Sequence, residues 1–186
     1  FLAAGMESGK IVVWQVERGA GVKMLATLDA HSDIVTSLSF TGDSALLVSG
    51  SMDGFVRAWS ISDGSLSLEL VAGPPSVGGL AIAPDTQRLA ASYSDSSVHI
   101  WHEGADTTIL STEAGSLNTL AYSPDGQVLA VAADWSRIIF WNPLDGSLLR
   151  IIHDHTSVVS DLAFSPDGHL LVTVSHDGTI RIYGVP

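Results

Sequence analysis

The chain has 186 residues, 46% of them hydrophobic, with 20 carboxylates against eight lysines and arginines and a formal net charge of −12. This charge opposes direct binding to nucleic acid or to anionic membrane surfaces and favours a basic partner. The chain has no cysteine, which excludes disulfides, thiolate zinc sites and cysteine nucleophiles, and no apolar stretch approaches the roughly 20 residues of a membrane helix.

The first predicted strands cover residues 1–5, 10–16 and 22–28, with a loop over residues 17–21. The chain begins inside an apolar strand, without a methionine, and shows no signal peptide, so we expect a cut N-terminus. We expect a soluble protein and favour the cytoplasm. No signal in the sequence determines the compartment, so the localisation stays unknown.

The stretch from Ser51 to Trp59 recurs along the chain. Asp53-Gly54 separates two β-rich runs, which predicts a hairpin because glycine accepts the positive φ of a tight turn. Residues equivalent to Trp59 recur at intervals of 45, 42, 40 and 42 residues, at Trp14, Trp59, Trp101, Trp141 and Tyr183. A constant period of this length is typical of repeated four-stranded units. Helical periodicity is absent, so we expect almost no helix.

Each full repeat has the same order of strands and turns. The first strands are predicted at 35–40, 77–82, 117–122 and 159–164, and fourth strands at 66–71 and 148–152. Turns such as Pro124-Asp125-Gly126 follow the first strands. The predicted repeats are 1–30 (partial), 31–72, 73–114, 115–154 and 155–186 (partial), all within one segment, 1–186.

This pattern resembles the WD40 repeat of β-propellers. The resemblance is carried by residues 162–168 and 171–183 and by His31 and His155, which open their repeats, and it covers the whole chain. It implies an all-β, WD40-type β-propeller with about five blades present. Propellers of this family usually close when an N-terminal strand completes the last blade. The last repeat stops after its third strand, so we expect the C-terminal part of a seven-bladed propeller.

The resemblance also implies a buried structural network in two repeats. Its members are His31, Ser51, Asp53 and Trp59 in one repeat, and His155, Ser175, Asp177 and Tyr183 in the other. A Ser, a His and an Asp together also fit a nucleophile site. In the family, however, such side chains tie turns to the aromatic residue, and buried polar groups must be satisfied. We therefore assign them a structural role. The two middle repeats lack the set, with Tyr93 and Ala133 in the serine positions.

Other motifs carry weaker hypotheses. His153-Asp154-His155 has a spacing that suits a metal on a strand, but His155 already belongs to the network. Residues 5–11 resemble a phosphate loop, yet no Ser or Thr follows Lys10 and the next element is a strand. We therefore expect no catalytic residue, no metal site and no cofactor.

The leading hypothesis is a non-catalytic WD40 scaffold for protein–protein or protein–peptide interaction, as part of a larger protein or complex. The partner is a protein or peptide of basic character, not nucleic acid or membrane. In the family, the residue before each turn aspartate often points outward, and a turn tryptophan suits an interface. The candidate contact residues are Glu7, Met52, Ser94, Asp134, Trp135 and His176. The alternatives are a small-ligand-binding or hydrolytic propeller with a site at the central channel, and a docking or sensory domain of a multidomain enzyme.

Overall fold

The computed structural model describes residues 1–17, 19, 21–71, 75–85, 87–102, 106–111, 115, 117–133 and 136–185. Over these residues the chain forms 18 β-strands and no helix, so the all-β prediction is confirmed. Accordingly, no helix in this part of the chain has the length and apolarity to cross a membrane. The strands form five antiparallel sheets within two compact units, Phe1–Val77 and Gly78–Pro186.

The first unit contains two sheets. The three-stranded sheet has the order β1-β2-β3, with strands at Leu2–Gly5, Lys10–Glu17 and Gly21–Asp29. The four-stranded sheet has the order β4-β5-β6-β7, with strands at Val35–Phe40, Leu46–Ser51, Phe55–Ser60 and Leu66–Val71. The predicted loop over residues 17–21 is shorter than expected, because Glu17 pairs with Gly21 at the end of the β2–β3 hairpin.

The second unit contains three sheets, each a meander in which neighbouring strands pair in sequence. The first consists of β8 to β11, at Val77–Ile82, Arg88–Tyr93, Ser97–His102 and Asp106–Ser111; β8 begins at the last residue of the first unit. The second consists of β12 to β15, at Leu117–Tyr122, Leu129–Ala133, Arg137–Trp141 and Leu148–Ile152. The third consists of β16 to β18, at Val159–Phe164, Leu170–Ser175 and Ile180–Gly184.

Burial is most complete in inner strands of the four-stranded sheets, such as β5 and β13, whereas the edge strand β18 of the last sheet is largely exposed. In the first unit, a core cluster includes Ile11, Val13, Leu28, Leu47 and Trp59. Burying one large aliphatic side chain stabilises the fold by about 1.5–3 kcal/mol. In each meander, successive turns lie at opposite ends of the strands. We call residues 6–9, 52–54, 94–96 and 176–179 the anchor turns; each joins the same two strands of its repeat.

Ser44 introduces backbone strain in the turn between β4 and β5, because its φ is +57°. A residue with a side chain in this left-handed region is destabilising by about 1–2 kcal/mol. A glycine has no such strain, but it loses roughly 0.5–1 kcal/mol more backbone entropy on folding. We expect Ser44→Gly to raise the free energy of unfolding by about 0.5–1 kcal/mol in urea titrations. Ser62→Gly is the control, because Ser62 is also exposed but has no positive φ. Equal effects of the two substitutions would exclude strain at Ser44.

Candidate functional site

A buried hydrogen-bonded network joins the segment before β4 to the anchor turn of the same sheet. His31 Nδ1 lies 3.0 Å from both carboxylate oxygens of Asp53, and His31 Nε2 lies 2.8 Å from Ser49 Oγ. Trp59 Nε1–H donates to the same serine oxygen at 2.9 Å. The side chains of His31 and Asp53 are 0% and 5% exposed, and Ser49 is fully buried. The network therefore holds the anchor turn in one position from inside the sheet.

The charges of this network follow from its burial. Burial has the largest effect on the pKa of His31 and lowers it; Asp53 raises the pKa and Arg57 lowers it, and the net result is a lowered pKa, so the ring is neutral at pH 7. A neutral ring with its proton on Nδ1 donates to Asp53 and accepts from Ser49 at Nε2, which satisfies both ring nitrogens. Burial raises the pKa of Asp53, but hydrogen bonds from the backbone N–H groups of Ser32 and Phe55 and from His31 outweigh it and lower that pKa overall.

Arg57 neutralises carboxylates on the same sheet. Its Nη1 donates to Asp53 Oδ2 at 3.1 Å, its Nε donates to Glu69 at 2.7 Å, and its guanidinium lies 4.6 Å from the centroid of the Phe55 ring. The charge of Arg57 is thus engaged within the sheet.

Ser51, predicted to belong to the network, does not bridge the imidazole and the indole; Ser49 does. Ser51 Oγ accepts from the backbone N–H of Asp53 and donates to the carbonyl of Asp33, each at 3.1 Å. The two nitrogens of an imidazole point in opposite directions. When Nδ1 of the His31 ring faces Asp53, Nε2 therefore faces a residue farther along β5. The available signal was the two-residue spacing, which puts Ser49 and Ser51 on one face of the strand.

The last repeat has a corresponding arrangement. His155 Nδ1 lies 2.9 Å from Asp177, and His155 Nε2 lies 2.8 Å from the hydroxyl of the buried Thr173. Ser175 accepts from the backbone N–H of Asp177 at 3.1 Å, as Ser51 does from Asp53. Thr173 therefore lies beside the imidazole, as Ser49 does in the earlier repeat, in the place for which Ser175 was predicted. Tyr183 lies on β18, the strand that pairs with β17.

The two middle repeats replace the network by other buried groups. Tyr93 is fully buried, and its ring centroid lies 4.7 Å from that of His99, which in turn lies 5.8 Å from that of Trp101. Burial raises the pKa of Tyr93 and lowers the pKa of His99, so both rings are neutral at pH 7. In the next sheet, the buried Ala133 stands in the position of Tyr93.

The predicted contact residues lie on the anchor turns wherever the structure describes them. Glu7, Met52, Ser94 and His176 are exposed. Asp134 and Trp135 lie outside the described residues. Each unit thus presents its own exposed turn residues, with Glu7 and Met52 in the first unit and Ser94 and His176 in the second.

In the first unit, two anchor turns border one segment. The carbonyl of Met6 accepts from the N–H of Val35 at 3.2 Å, and the N–H of Met52 donates to the carbonyl of Ile34 at 2.9 Å. Met6 and Met52 are 41% and 46% exposed, and Glu7 and Asp33 are exposed beside them. We call Met6, Glu7, Asp33 and Met52 the turn surface. Met6 and Asp33 were not predicted from the sequence. The signal that could have identified them is their place in the chain, since Met6 precedes Glu7 and Asp33 follows two residues after His31.

The chemistry of these groups favours structure over catalysis. The Asp53–His31 and His31–Ser49 contacts correspond to the two hydrogen-bonded pairs of a Ser-His-Asp triad. Ser49 is fully buried, however, so its hydroxyl cannot meet a substrate. The described residues contain no group of three or more His, Asp or Glu side chains that could hold a metal ion. The turn surface of the first unit is exposed, acidic and apolar, and the hydrogen-bonded anchor turns give it a rigid base.

Comparison with known families matches four segments of the chain to "WD40: WD domain, G-beta repeat", over residues 22–60, 65–102, 106–142 and 146–184. Each segment ends one residue after Trp59, Trp101, Trp141 or Tyr183. The match thus has the period that the aromatic residues set.

Curated proteins from several organisms are similar to this chain. The Periodic tryptophan protein 2 homolog of Schizosaccharomyces pombe is 29% identical over 170 residues, which is 80% of this chain and 20% of that protein. Periodic tryptophan protein 2 of Arabidopsis thaliana is 30% identical over 203 residues, 84% of this chain and 22% of that protein. WD repeat and SOCS box-containing protein 1 of Homo sapiens is 32% identical over 103 residues, 54% of this chain and 24% of that protein. The chain spans about a fifth to a quarter of the length of these relatives.

Proposed function

Because the chain belongs to the WD40 family of WD domain, G-beta repeat proteins, we propose that it is a non-catalytic scaffold that binds a protein or peptide of basic character. WD40 repeats and WD-repeat relatives support a protein-interaction scaffold in general. One relative is named for a SOCS box beside its WD repeats. We propose that this chain likewise serves as the interaction part of a larger protein.

The observation that carries the proposal is the exposed Met52 on an immobilised turn. Methionine adapts its shape to a partner and is frequent at interaction surfaces. The turn beneath it is held by the Asp53–His31 contact at 3.0 Å and by the backbone bond to Ile34 at 2.9 Å. A rigid base lowers the entropy lost on binding, because the turn does not have to be ordered by the partner.

The basic character of the partner follows from the charges at the turn surface. Glu7 and Asp33 are exposed there. The nearby Arg57 is bound to Asp53 and Glu69, so its charge is already compensated. Together with the net charge of −12, this arrangement attracts lysine or arginine side chains and repels acidic ones.

The test combines capture of a partner with measured affinities. We expect Met52→Ala to weaken binding of the captured partner by about 1–2 kcal/mol, as for an apolar interface contact. Glu7→Lys should slow association and reduce its dependence on salt, measured at two ionic strengths. On the sequence argument alone, Trp135→Ala should weaken binding by about 2 kcal/mol.

Ser62→Lys is the control for the position of the new lysine, because Ser62 is exposed in a turn at the opposite end of the β4–β7 sheet. It raises the net charge by one, whereas Glu7→Lys raises it by two. Ser62→Lys should leave the association rate within about twofold of the wild-type value. If Ser62→Lys slows association while Glu7→Lys and Met52→Ala have no effect, the partner uses the other end of the strands and the proposed surface is wrong.

A further inference from the structure

Three equivalent turns of the second unit each contain a Pro-Asp pair after the first strand of a sheet, at Asp85, Asp125 and Asp167. In each turn, Oδ1 of the aspartate accepts from the backbone N–H two residues further on, at 3.0, 3.0 and 3.1 Å. The three carboxylates are therefore held in the same way. The turns differ in what meets the second oxygen, Oδ2.

In the first of these turns, an arginine of the chain binds the second oxygen. Arg88 Nη2 and Nε donate to Asp85 Oδ2 at 2.8 and 3.2 Å. The guanidinium also lies 5.9 Å from the centroid of the Tyr122 ring. The guanidinium also reaches Gly126 in the turn of the next sheet. The contact is close, since a Cβ atom placed on Gly126 would lie only 2.9 Å from Arg88 Nη2. Arg88 thus fills the space between two successive turns.

The same space in the next pair of turns is a cavity. Val128 stands in the position of Arg88, three residues after Asp125, and a valine cannot reach across. The two pairs of turns lie equally close to each other. A Cβ atom placed on Gly126 would lie 3.6 Å from Pro84 Cδ, and a Cβ atom placed on Gly168 would lie 3.6 Å from Pro124 Cδ. The cavity has a volume of about 380 Å³ and is lined by Pro124, Asp125, Val128, Asp167, His169 and Val185, among others.

The two carboxylates at this cavity are ionised, and within the described residues neither forms an ion pair with a lysine or an arginine. Hydrogen bonds from Ser123 and the Gln127 N–H lower the pKa of Asp125. Hydrogen bonds from Ser165 and the His169 N–H lower the pKa of Asp167, and the His169 ring adds a smaller electrostatic contribution in the same direction. All of these hydrogen bonds end on Oδ1. Within the described part of the chain, no hydrogen bond reaches either Oδ2, and no lysine or arginine is among the residues that line the cavity.

An apolar groove continues from the cavity. It has a volume of about 310 Å³, shares Val128 and Val185 with the cavity, and is further lined by Phe140, Leu149, Ile152 and Tyr183. Arg150 also lines the groove, so a second cation is disfavoured there. The groove fits an aliphatic side chain next to the residue that enters the cavity.

We propose that this cavity binds an arginine side chain of a partner protein, with a neighbouring aliphatic residue of the same segment in the groove. The guanidinium takes the place that Arg88 occupies one repeat earlier and donates to the free oxygens of Asp125 and Asp167. This site is separate from the turn surface of the first unit and does not depend on it.

The direct test is NMR titration of the isotope-labelled chain with the blocked peptide acetyl-Leu-Arg-Leu-amide. We expect saturable shifts of the Gly168 amide. The same peptide with citrulline, which is nearly isosteric but uncharged, should bind at least about tenfold more weakly.

Three variants locate the binding site. Asp125→Asn and Asp167→Asn should each weaken binding of the arginine peptide at least about fivefold. The amide oxygen stays engaged by the turn hydrogen bonds, and the amide N–H2 that replaces Oδ2 is a donor and cannot accept from the guanidinium. Val128→Arg should abolish binding, since its own guanidinium would fill the cavity as Arg88 does. Gln127→Arg is the control: it adds the same charge on the adjacent, exposed residue and should change the affinity by no more than about twofold.

Several results would overturn the proposal. They are the absence of saturation up to about 10 mM peptide, equal binding of the arginine and citrulline peptides, and undiminished binding by folded Asp125→Asn or Val128→Arg. If sedimentation shows self-association that Val128→Arg abolishes, and the peptide does not compete with it, the occupant is a second copy of the chain and the arginine peptide is rejected.

Discussion

Asp53→Ala is expected to lower the free energy of unfolding by about 3 kcal/mol, because it removes the acceptor of four hydrogen bonds, one of which comes from the fully buried ring of His31. Asp53 accepts from His31 Nδ1 at 3.0 Å, from the Ser32 N–H at 3.1 Å, from the Phe55 N–H at 3.1 Å and from Arg57 Nη1 at 3.1 Å. Its side chain is 5% exposed, so water cannot replace the lost carboxylate. Equilibrium unfolding in urea measures the change.

Asp43→Ala is the matched control within the same sheet. Asp43 also accepts two turn hydrogen bonds, from Thr41 and from the N–H of Ala45, but it is exposed to water. Its removal should cost much less than that of Asp53. Wild-type stability of Asp53→Ala, or equal losses in the two variants, would show that the network does not stabilise this repeat.

Gly9→Ala is expected to destabilise the first unit by at least about 3 kcal/mol, since backbone strain and a steric clash add. Gly9 has a φ of +78°, and a Cβ there would lie 2.1 Å from the carbonyl oxygen of His31. The glycine carbonyl also accepts from the N–H of His31 at 2.9 Å, so the two backbones cannot separate without losing this bond. Thermal and urea unfolding both report the loss.

Gly178→Ala separates the two contributions. Gly178 has a φ of +80° in the equivalent anchor turn of the last repeat, but no atom lies within 4 Å of an added Cβ. This variant should show the conformational cost alone, about 1–2 kcal/mol. If Gly9→Ala costs no more than Gly178→Ala, the approach of His31 to Gly9 does not restrict the side chain at this position.

The local pattern of the sequence determined the strands. The predicted first strands at 35–40, 77–82, 117–122 and 159–164 and the fourth strands at 66–71 and 148–152 have the observed bounds of β4, β8, β12, β16, β7 and β15. These boundaries depend on short-range features, because the Pro-Asp and Asp-Gly turns end the strands and alternating apolar residues select the buried face. The period of the aromatic residues likewise sufficed to indicate repeated sheets.

The tertiary structure alone decided which side chains meet. Ser49 and Ser51 lie on one face of β5, and only the orientation of the His31 ring selects Ser49 as the bridge to Trp59. Arg88 and Val128 occupy equivalent positions in the sequence, yet one fills the space between two turns and the other leaves a cavity of about 380 Å³. Such contacts depend on the length of a side chain and on the distance between neighbouring sheets, and neither quantity is encoded in the spacing of residues along one strand.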